Sequence, residues 1–173
     1  VKSVGEWAKR AGRMAGRALN AGGNLWGITT GLDSVNAKMG GMHHSDLMIL
    51  AGRPGMGKTA LATNIAFNAA QRWMRDMADG IPPERSVGTK VAFFSLEMSA
   101  DQLATRILSE QSRISSERLR MGKINNAEMS RLVQASMELQ HLPLFIDDTA
   151  GLTIGALHTR MRRLQRRHNN EIG

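Results

Sequence analysis

An α/β fold, with a parallel sheet covered by helices on both faces, is what this 173-residue sequence predicts. Three observations lead there. Short apolar runs alternate with longer segments of helical periodicity, in the order strand, helix, strand, helices, strand, helix. The runs are apolar at successive positions rather than alternate ones, as in strands buried on both faces. A glycine-rich turn joins the first run to the strongest helix. Three strands are few for such a sheet, and the last helix ends where a further strand is expected. On physical grounds the chain reads as cut short.

Composition sets the outer limits. With 42% hydrophobic and 22% charged residues the chain has the make-up of an ordinary globular domain. No apolar run approaches the ~20 residues of a membrane span. No secretory pattern opens the chain, because residues 1–20 are basic and interrupted by glycine. The absence of Cys excludes disulfides and thiolate metal sites and fits a cytosolic protein. The five His show no metal-ligand spacing, and the adjacent His43 and His44 are expected to face solvent from a loop. The 12 Met fall mostly on helix stripes and read as core filler. A net charge of +8 attracts polyanions, nucleic acids among them; a solvated basic surface is the plainer alternative.

Residues 1–20 predict an amphipathic helix. Val4, Trp7, Ala8, Ala11, Met14, Ala15 and Ala18 recur on one face, and Lys2, Lys9, Arg10, Arg13 and Arg17 fill the other. Gly12 and Gly16 weaken it. Set before the Gly22-Gly23 break, it packs on a partner subunit or lies as a frayed terminal helix on its own domain. Residues 27–41 hold turn formers and a short apolar pattern. Leu47-Met48-Ile49-Leu50-Ala51 predicts a buried parallel strand. Residues 59–77 predict a helix with the stripe Leu61, Ala62, Ile65, Ala66, Ala69, Trp73 and Met77. Gly80, Pro82, Pro83 and Gly88 make residues 79–89 a loop.

A second strand is expected over residues 90–95, followed by a helix over 99–112, where Ser99 and Gln102 have capping-box spacing. Residues 116–121 predict a short helix. Residues 127–142 predict a longer one, with Met129, Leu132, Val133, Met137 and Leu139 apolar. Residues 143–147 predict the third strand. In the last helix, over 153–168, Leu157, Met161 and Leu164 face inward. Arg160, Arg162, Arg163, Arg166 and Arg167 crowd the rest, as phosphate contacts or as a solvated face.

Gly52-Arg53-Pro54-Gly55-Met56-Gly57-Lys58-Thr59 satisfies G-x-x-x-x-G-K-[ST], the phosphate-binding P-loop, between a predicted strand and a predicted helix. Its glycines let successive amides point into one concavity, and the helix N-terminus adds the positive end of its dipole. Lys58 is placed to reach the β- and γ-phosphates, and the Thr59 hydroxyl to ligate Mg²⁺. Hydrolysis also needs a carboxylate for the attacking water. Glu97 and the pair Asp147-Asp148 follow the second and third predicted strands, at the ends where open α/β sheets bind ligands. Leu144-Phe145-Ile146-Asp147-Asp148 reads generically as a Walker B strand, or its two Asp as a turn or helix cap before Thr153.

Four segments together resemble the bacterial replicative DNA helicases of the DnaB family. The P-loop stretch from Leu50 to Ala60 is similar to theirs. Thr29-Thr30-Gly31-Leu32-Asp33, with Gly40-Gly41 and Asp46-Leu47, looks like the start of their motor domain. Phe94-Ser95-Leu96-Glu97-Met98-Ser99 and Pro143-Leu144-Phe145-Ile146-Asp147-Asp148-Thr149 look like two further family motifs. The similarity runs from about residue 27 to 168.

The resemblance implies a RecA-like P-loop NTPase fold. Residues 1–21 would be a linker helix docking on a neighbouring subunit, and residues 22–173 the N-terminal part of the motor domain. It implies ATP and Mg²⁺ as cofactors, with Gly52, Arg53, Pro54, Gly55, Met56, Gly57, Lys58, Thr59 and Ala60 binding nucleotide. Thr59 would bind the metal, and Lys58 and Glu97 would be catalytic. It further implies a homo-hexameric ring that moves 5′ to 3′ on single-stranded DNA at a replication fork. Primase and a helicase loader would be partners, in the bacterial cytoplasm at the nucleoid, with no membrane association. In the family the Walker B strand follows the Arg-rich helix, so here it is expected beyond residue 173. Asp147 and Asp148 are then structural, and this stretch alone is expected to be inactive. The alternatives are a RecA-like DNA-binding ATPase that does not unwind, and a nucleotide-binding assembly module without turnover.

Overall fold

The computed structural model describes residues 3–20 and 25–173, without the side chains of Arg17 and Ala18. The expectations placed on Lys2, on those two side chains and on the Gly22-Gly23 break lie outside the described residues. In order, the elements are α1 (Val4–Asn20), α2 (Asp33–Met39), α3 (Lys58–Ala78), a 3₁₀ turn (Pro83–Arg85), β1 (Val91–Phe94), α4 (Ala100–Ser112), α5 (Ser116–Met121), α6 (Asn126–Leu139), β2 (Leu144–Asp147) and α7 (Ile154–Arg167).

β1 and β2 pair in parallel, with Val91 opposite Leu144 and Phe94 opposite Asp147. A parallel pair needs a long crossover, which α4, α5 and α6 supply. Helix α3 packs on both strands through Ala66, Phe67, Ala69, Ala70 and Trp73, all buried. Leu103 and Ile107 of α4, Ile114 and Ala135 of α6 make up the buried core on the crossover side. Local chemistry sets several boundaries, the first of them as the sequence predicts. Ser99 and Gln102 form a reciprocal capping box at α4, and Asn125 and Glu128 form another at α6. The Thr153 side chain caps α7.

The loop from α3 to β1 is pinned at three points. Asp76, buried at the end of α3, accepts from the Ser86 hydroxyl and from Arg72, both at 2.7 Å. Burial raises the pKa of this carboxyl, but the hydrogen bonds outweigh it and hold it below its ordinary value. Gly88 presses against α3 so closely that a Cβ there would lie 2.1 Å from the Trp73 amide nitrogen. The Thr89 amide donates to the Ala69 carbonyl at 3.1 Å.

The Thr29-Thr30-Gly31 motif forms a polar knot. The Asn36 carbonyl oxygen accepts from the Thr30 amide (2.9 Å) and hydroxyl (2.7 Å), and its amide group donates to the Thr29 hydroxyl at 2.9 Å. Asn68 of α3 donates to the Thr30 carbonyl at 3.1 Å, tying this segment to the helix. Both threonines are buried and satisfied.

Several expectations need correction. Residues 47–51 form no strand. Leu47 and Ile49 are 87% and 83% exposed, and among the described residues these five make no backbone hydrogen bond. A buried parallel strand exists only between hydrogen-bonded neighbours, and none is available to this run. The free edge of β1 is taken by the chain's last residues. Lys90 donates to the Glu171 carbonyl (3.3 Å) and accepts from the Gly173 amide (3.2 Å), forming a parallel bridge opposite Ile172. Because the Val91 amide points the other way, to Pro143, this bridge lies on the edge away from β2. Residues 171–173 thus make a single parallel bridge to Lys90, just before β1, next to the point where the sequence leads one to expect a further strand.

Helix α2 and the 3₁₀ turn are absent from the sequence reading. Both are shorter than the window in which helical periodicity shows. The methionines are not core filler. None is among the buried hydrophobic residues, and Met129, Val133 and Met137 form an outward stripe on α6. His43 is half-buried and stacks on Trp26 at 3.8 Å between ring centroids, whereas His44 is exposed as expected.

Candidate nucleotide-binding site

Residues 52–57 form an exposed turn that feeds directly into α3. Gly55 and Gly57 have φ of +76° and +83°, the left-handed region that glycine occupies without steric cost. A Cβ at either would meet nothing within 4 Å, so the loop faces open space. The Lys58 ammonium reaches back across the turn and donates to the Gly52 carbonyl at 2.9 Å and the Arg53 carbonyl at 3.2 Å. Among the described residues, the amides of Lys58, Thr59 and Ala60 donate to no group of the chain, while Leu61 donates to the Gly57 carbonyl. Helix α3 thus presents unsatisfied N–H groups, a dipole end and the Lys58 ammonium at a single glycine-lined turn. The donor set fits a polyphosphate.

The two strand-end carboxylate groups occupy different settings. Glu97 is exposed in the turn from β1 to α4. β1 begins beside Ala69 and Trp73 of α3 and runs antiparallel to that helix. From there Lys58 lies ~16 Å back along the helix axis, and the end of β1 ~13 Å along the strand. Glu97 and the P-loop therefore lie at the same end of the sheet. Asp147 is engaged otherwise. It pairs with the Arg160 guanidinium and accepts from the Thr149 amide at 3.0 Å. Thr149, then Arg160, hold its pKa down to about 2. Asp148 accepts from the Ala100 amide at 2.7 Å, at the N-terminus of α4. The Asp147–Thr149 bond is the turn that the plainer sequence reading expected, but neither Asp caps the helix that follows: Thr153 caps α7, and Asp148 reaches back to the start of α4.

Arg160 is half-buried against Asp147, while Arg162, Arg163, Arg166 and Arg167 stay exposed on α7. Among the described residues, no group of three or more His, Asp or Glu is placed to hold a metal ion by itself. No helix there is long and apolar enough to cross a membrane. Sequence reasoning overlooked Ser95 and the Ala100 amide. Ser95 is a polar residue at the end of an apolar strand, a departure that could have marked it.

The P-loop, the parallel strands and the covering helices define a RecA-like P-loop α/β domain. The chain belongs to the DnaB-like helicase C-terminal domain family, whose model matches residues 27–172. Among curated relatives, the replicative DNA helicase DnaB of Rickettsia bellii is 48% identical over 153 residues, covering 88% of this chain and 30% of that protein. The DnaB helicase of Synechocystis sp. is 40% identical over 147 residues, covering 85% of this chain and 15% of that one. The chain thus spans less than a third of the length of these relatives. Two solved structures share the fold at 22% identity. One is described as the ATPase domain of G40P, with a TM-score of 0.76 over 96% of this chain and 53% of that one. The other is described as a DnaB-like replicative helicase and its interactions with primase, with a TM-score of 0.73 over 92% and 35%.

Proposed function

We propose that this chain is the front portion of the motor domain of a replicative DNA helicase, which couples ATP hydrolysis to 5′–3′ movement on single-stranded DNA and to unwinding at the fork. The observation that carries the reading is the P-loop turn, whose three free amides at the start of α3 lie beside Lys58 in a chain of this family.

In this reading residues 52–60 cradle the phosphates of ATP. The Lys58 ammonium, now on two loop carbonyls, would turn to β- and γ-phosphate oxygens, and the Thr59 hydroxyl would hold Mg²⁺. When bound, the metal neutralises charge that develops on the phosphates. Glu97 orients the attacking water and accepts its proton. Asp147 has no part in the chemistry, because Arg160 and Thr149 already occupy its oxygens. Helix α1 exposes apolar side chains, with Val4 85% and Met14 44% exposed, which suits a linker helix docking on the next subunit of a hexameric ring. Residues 22–173 are then the front part of the motor domain. Primase and a loader are the expected protein partners, and the compartment is the bacterial cytoplasm.

The test is ATP hydrolysis and strand displacement by the full-length gene product. Glu97→Gln should keep nucleotide binding and lower turnover about a hundredfold or more, with strand displacement lost. Lys58→Ala should lose nucleotide binding. Hydrolysis without strand displacement would instead indicate a DNA-binding ATPase, and binding without hydrolysis an assembly module.

A further inference from the structure

The turn that carries Glu97 is exposed and short, and its ends are fixed by two side chains with no other evident task. At its start, the buried Ser95 hydroxyl donates to the Met98 carbonyl at 2.6 Å and accepts from the Met98 amide at 3.2 Å, closing residues 95–98 into a loop. At its end, the Asp148 carboxylate accepts from the Ala100 amide at 2.7 Å. Ala100 is the first residue of α4, and its amide is one of the donors that the helix leaves unmet. The capping box fixes Ser99 to Gln102 but not the helix to the sheet. Asp148 makes that second connection, from the end of β2. Its neighbour Asp147 is in turn held by Arg160 of α7 and by the strand bond from the Ser95 amide at 2.9 Å.

We infer that Asp148 is a positioning residue for Glu97. It sets the height of the α4 N-terminus above the sheet, and with Ser95 it fixes where residues 96–99 place the Glu97 carboxylate. The inference rests on the reading of Glu97 as the group that orients the attacking water. A carboxylate moved by about 1 Å loses its near-attack geometry, at a cost of up to about a hundredfold in rate. Phosphate binding is untouched, because the P-loop belongs to a different segment. A cap that serves stability alone predicts the opposite: loss of folded protein with normal turnover in what remains.

The experiment is steady-state ATP hydrolysis by the full-length gene product, with thermal melting and fluorescent-nucleotide binding measured alongside. Asp148→Ala should lower kcat between about tenfold and a hundredfold, with KM and nucleotide affinity unchanged. Asp148→Asn, which keeps an oxygen to accept from Ala100, should restore most of kcat. Ser95→Ala, which opens the other end of the turn, should lower kcat in the same way. In a Glu97→Gln background, Asp148→Ala should cause no further loss. Unchanged kcat in both Asp148→Ala and Ser95→Ala, or a loss proportional to unfolded protein in both, overturns the inference. Normal hydrolysis by Glu97→Gln overturns the underlying reading instead, so the two failures are distinct.

Discussion

Asp147 shows how partners decide what a strand-end carboxylate can do. Its pKa lies near 2 because Thr149 and Arg160 hydrogen-bond its charged form. A carboxylate so firmly ionised is a poor proton acceptor, which suits a structural pin and not a general base. The pH dependence follows from the sign of the shift. The folded pKa is depressed, so the stabilisation is complete above the unfolded value of about 4 and is lost as pH falls through about 2. An NMR titration should find the Asp147 carboxyl with a midpoint near 2. Thr149→Val or Arg160→Leu should each move that midpoint upward. An ordinary midpoint in the unaltered chain would mean that the Arg160 contact does not persist in solution. Glu97 is exposed in the turn after β1.

Among the elements, α3 does most to join site and core. Its first turn carries Lys58 and Thr59, its middle packs on both strands, and its last turns hold the loop that leads to β1. At Gly88 that packing is so close that no side chain can be added without displacing the Trp73 backbone. Gly88→Ala should therefore destabilise the domain by about 1–3 kcal/mol, as overpacking against a fixed neighbour does. Equilibrium denaturation measures it directly, and a loss below about 0.5 kcal/mol, typical of surface changes, would show that the loop can step away from the helix. Most of α3 was legible in sequence because a long apolar stripe and a P-loop both mark it locally. Helix α2 was not legible: seven residues are too few for a period to show, and Asn36 does its work by bonding Thr29 and Thr30.

At the scale of the whole molecule, the sheet is narrow and the P-loop approach is open. Leu47 and Ile49 face solvent although the run has the composition of an interior strand. The amides of residues 47–51 should exchange with solvent at nearly the rate of an unstructured chain in the 173-residue protein. In the longer gene product the same amides should be protected, if a strand outside this stretch pairs with them. Equal exchange in both would show that the segment is a true loop. With two paired strands and an open P-loop approach, the 173-residue chain should turn ATP over slowly or not at all despite measurable nucleotide binding. Turnover in this chain that Asp147→Asn abolishes would reassign the Walker B role to Asp147.

By itself the sequence determined what depends on near neighbours. The P-loop motif, the Ser99–Gln102 capping box and the bounds of α5 follow from residue types a few positions apart, and the parallel pairing of β1 and β2 from the alternation of apolar runs with helical segments. The tertiary structure alone decided which apolar runs find partners. Val91–Phe94 is paired because β2 reaches it, with residues 171–173 bridged to Lys90 just before it, while among the described residues the equally apolar residues 47–51 have no strand beside them. It also decided that Met129, Val133 and Met137 face outward, and that Asp147 and Asp148 bond Arg160 and the start of α4. The physical reason is the same throughout. Hydrophobicity and propensity are properties of a segment, but a strand's hydrogen bonds and a carboxylate's charge are completed by groups distant in sequence, which only the folded chain brings together.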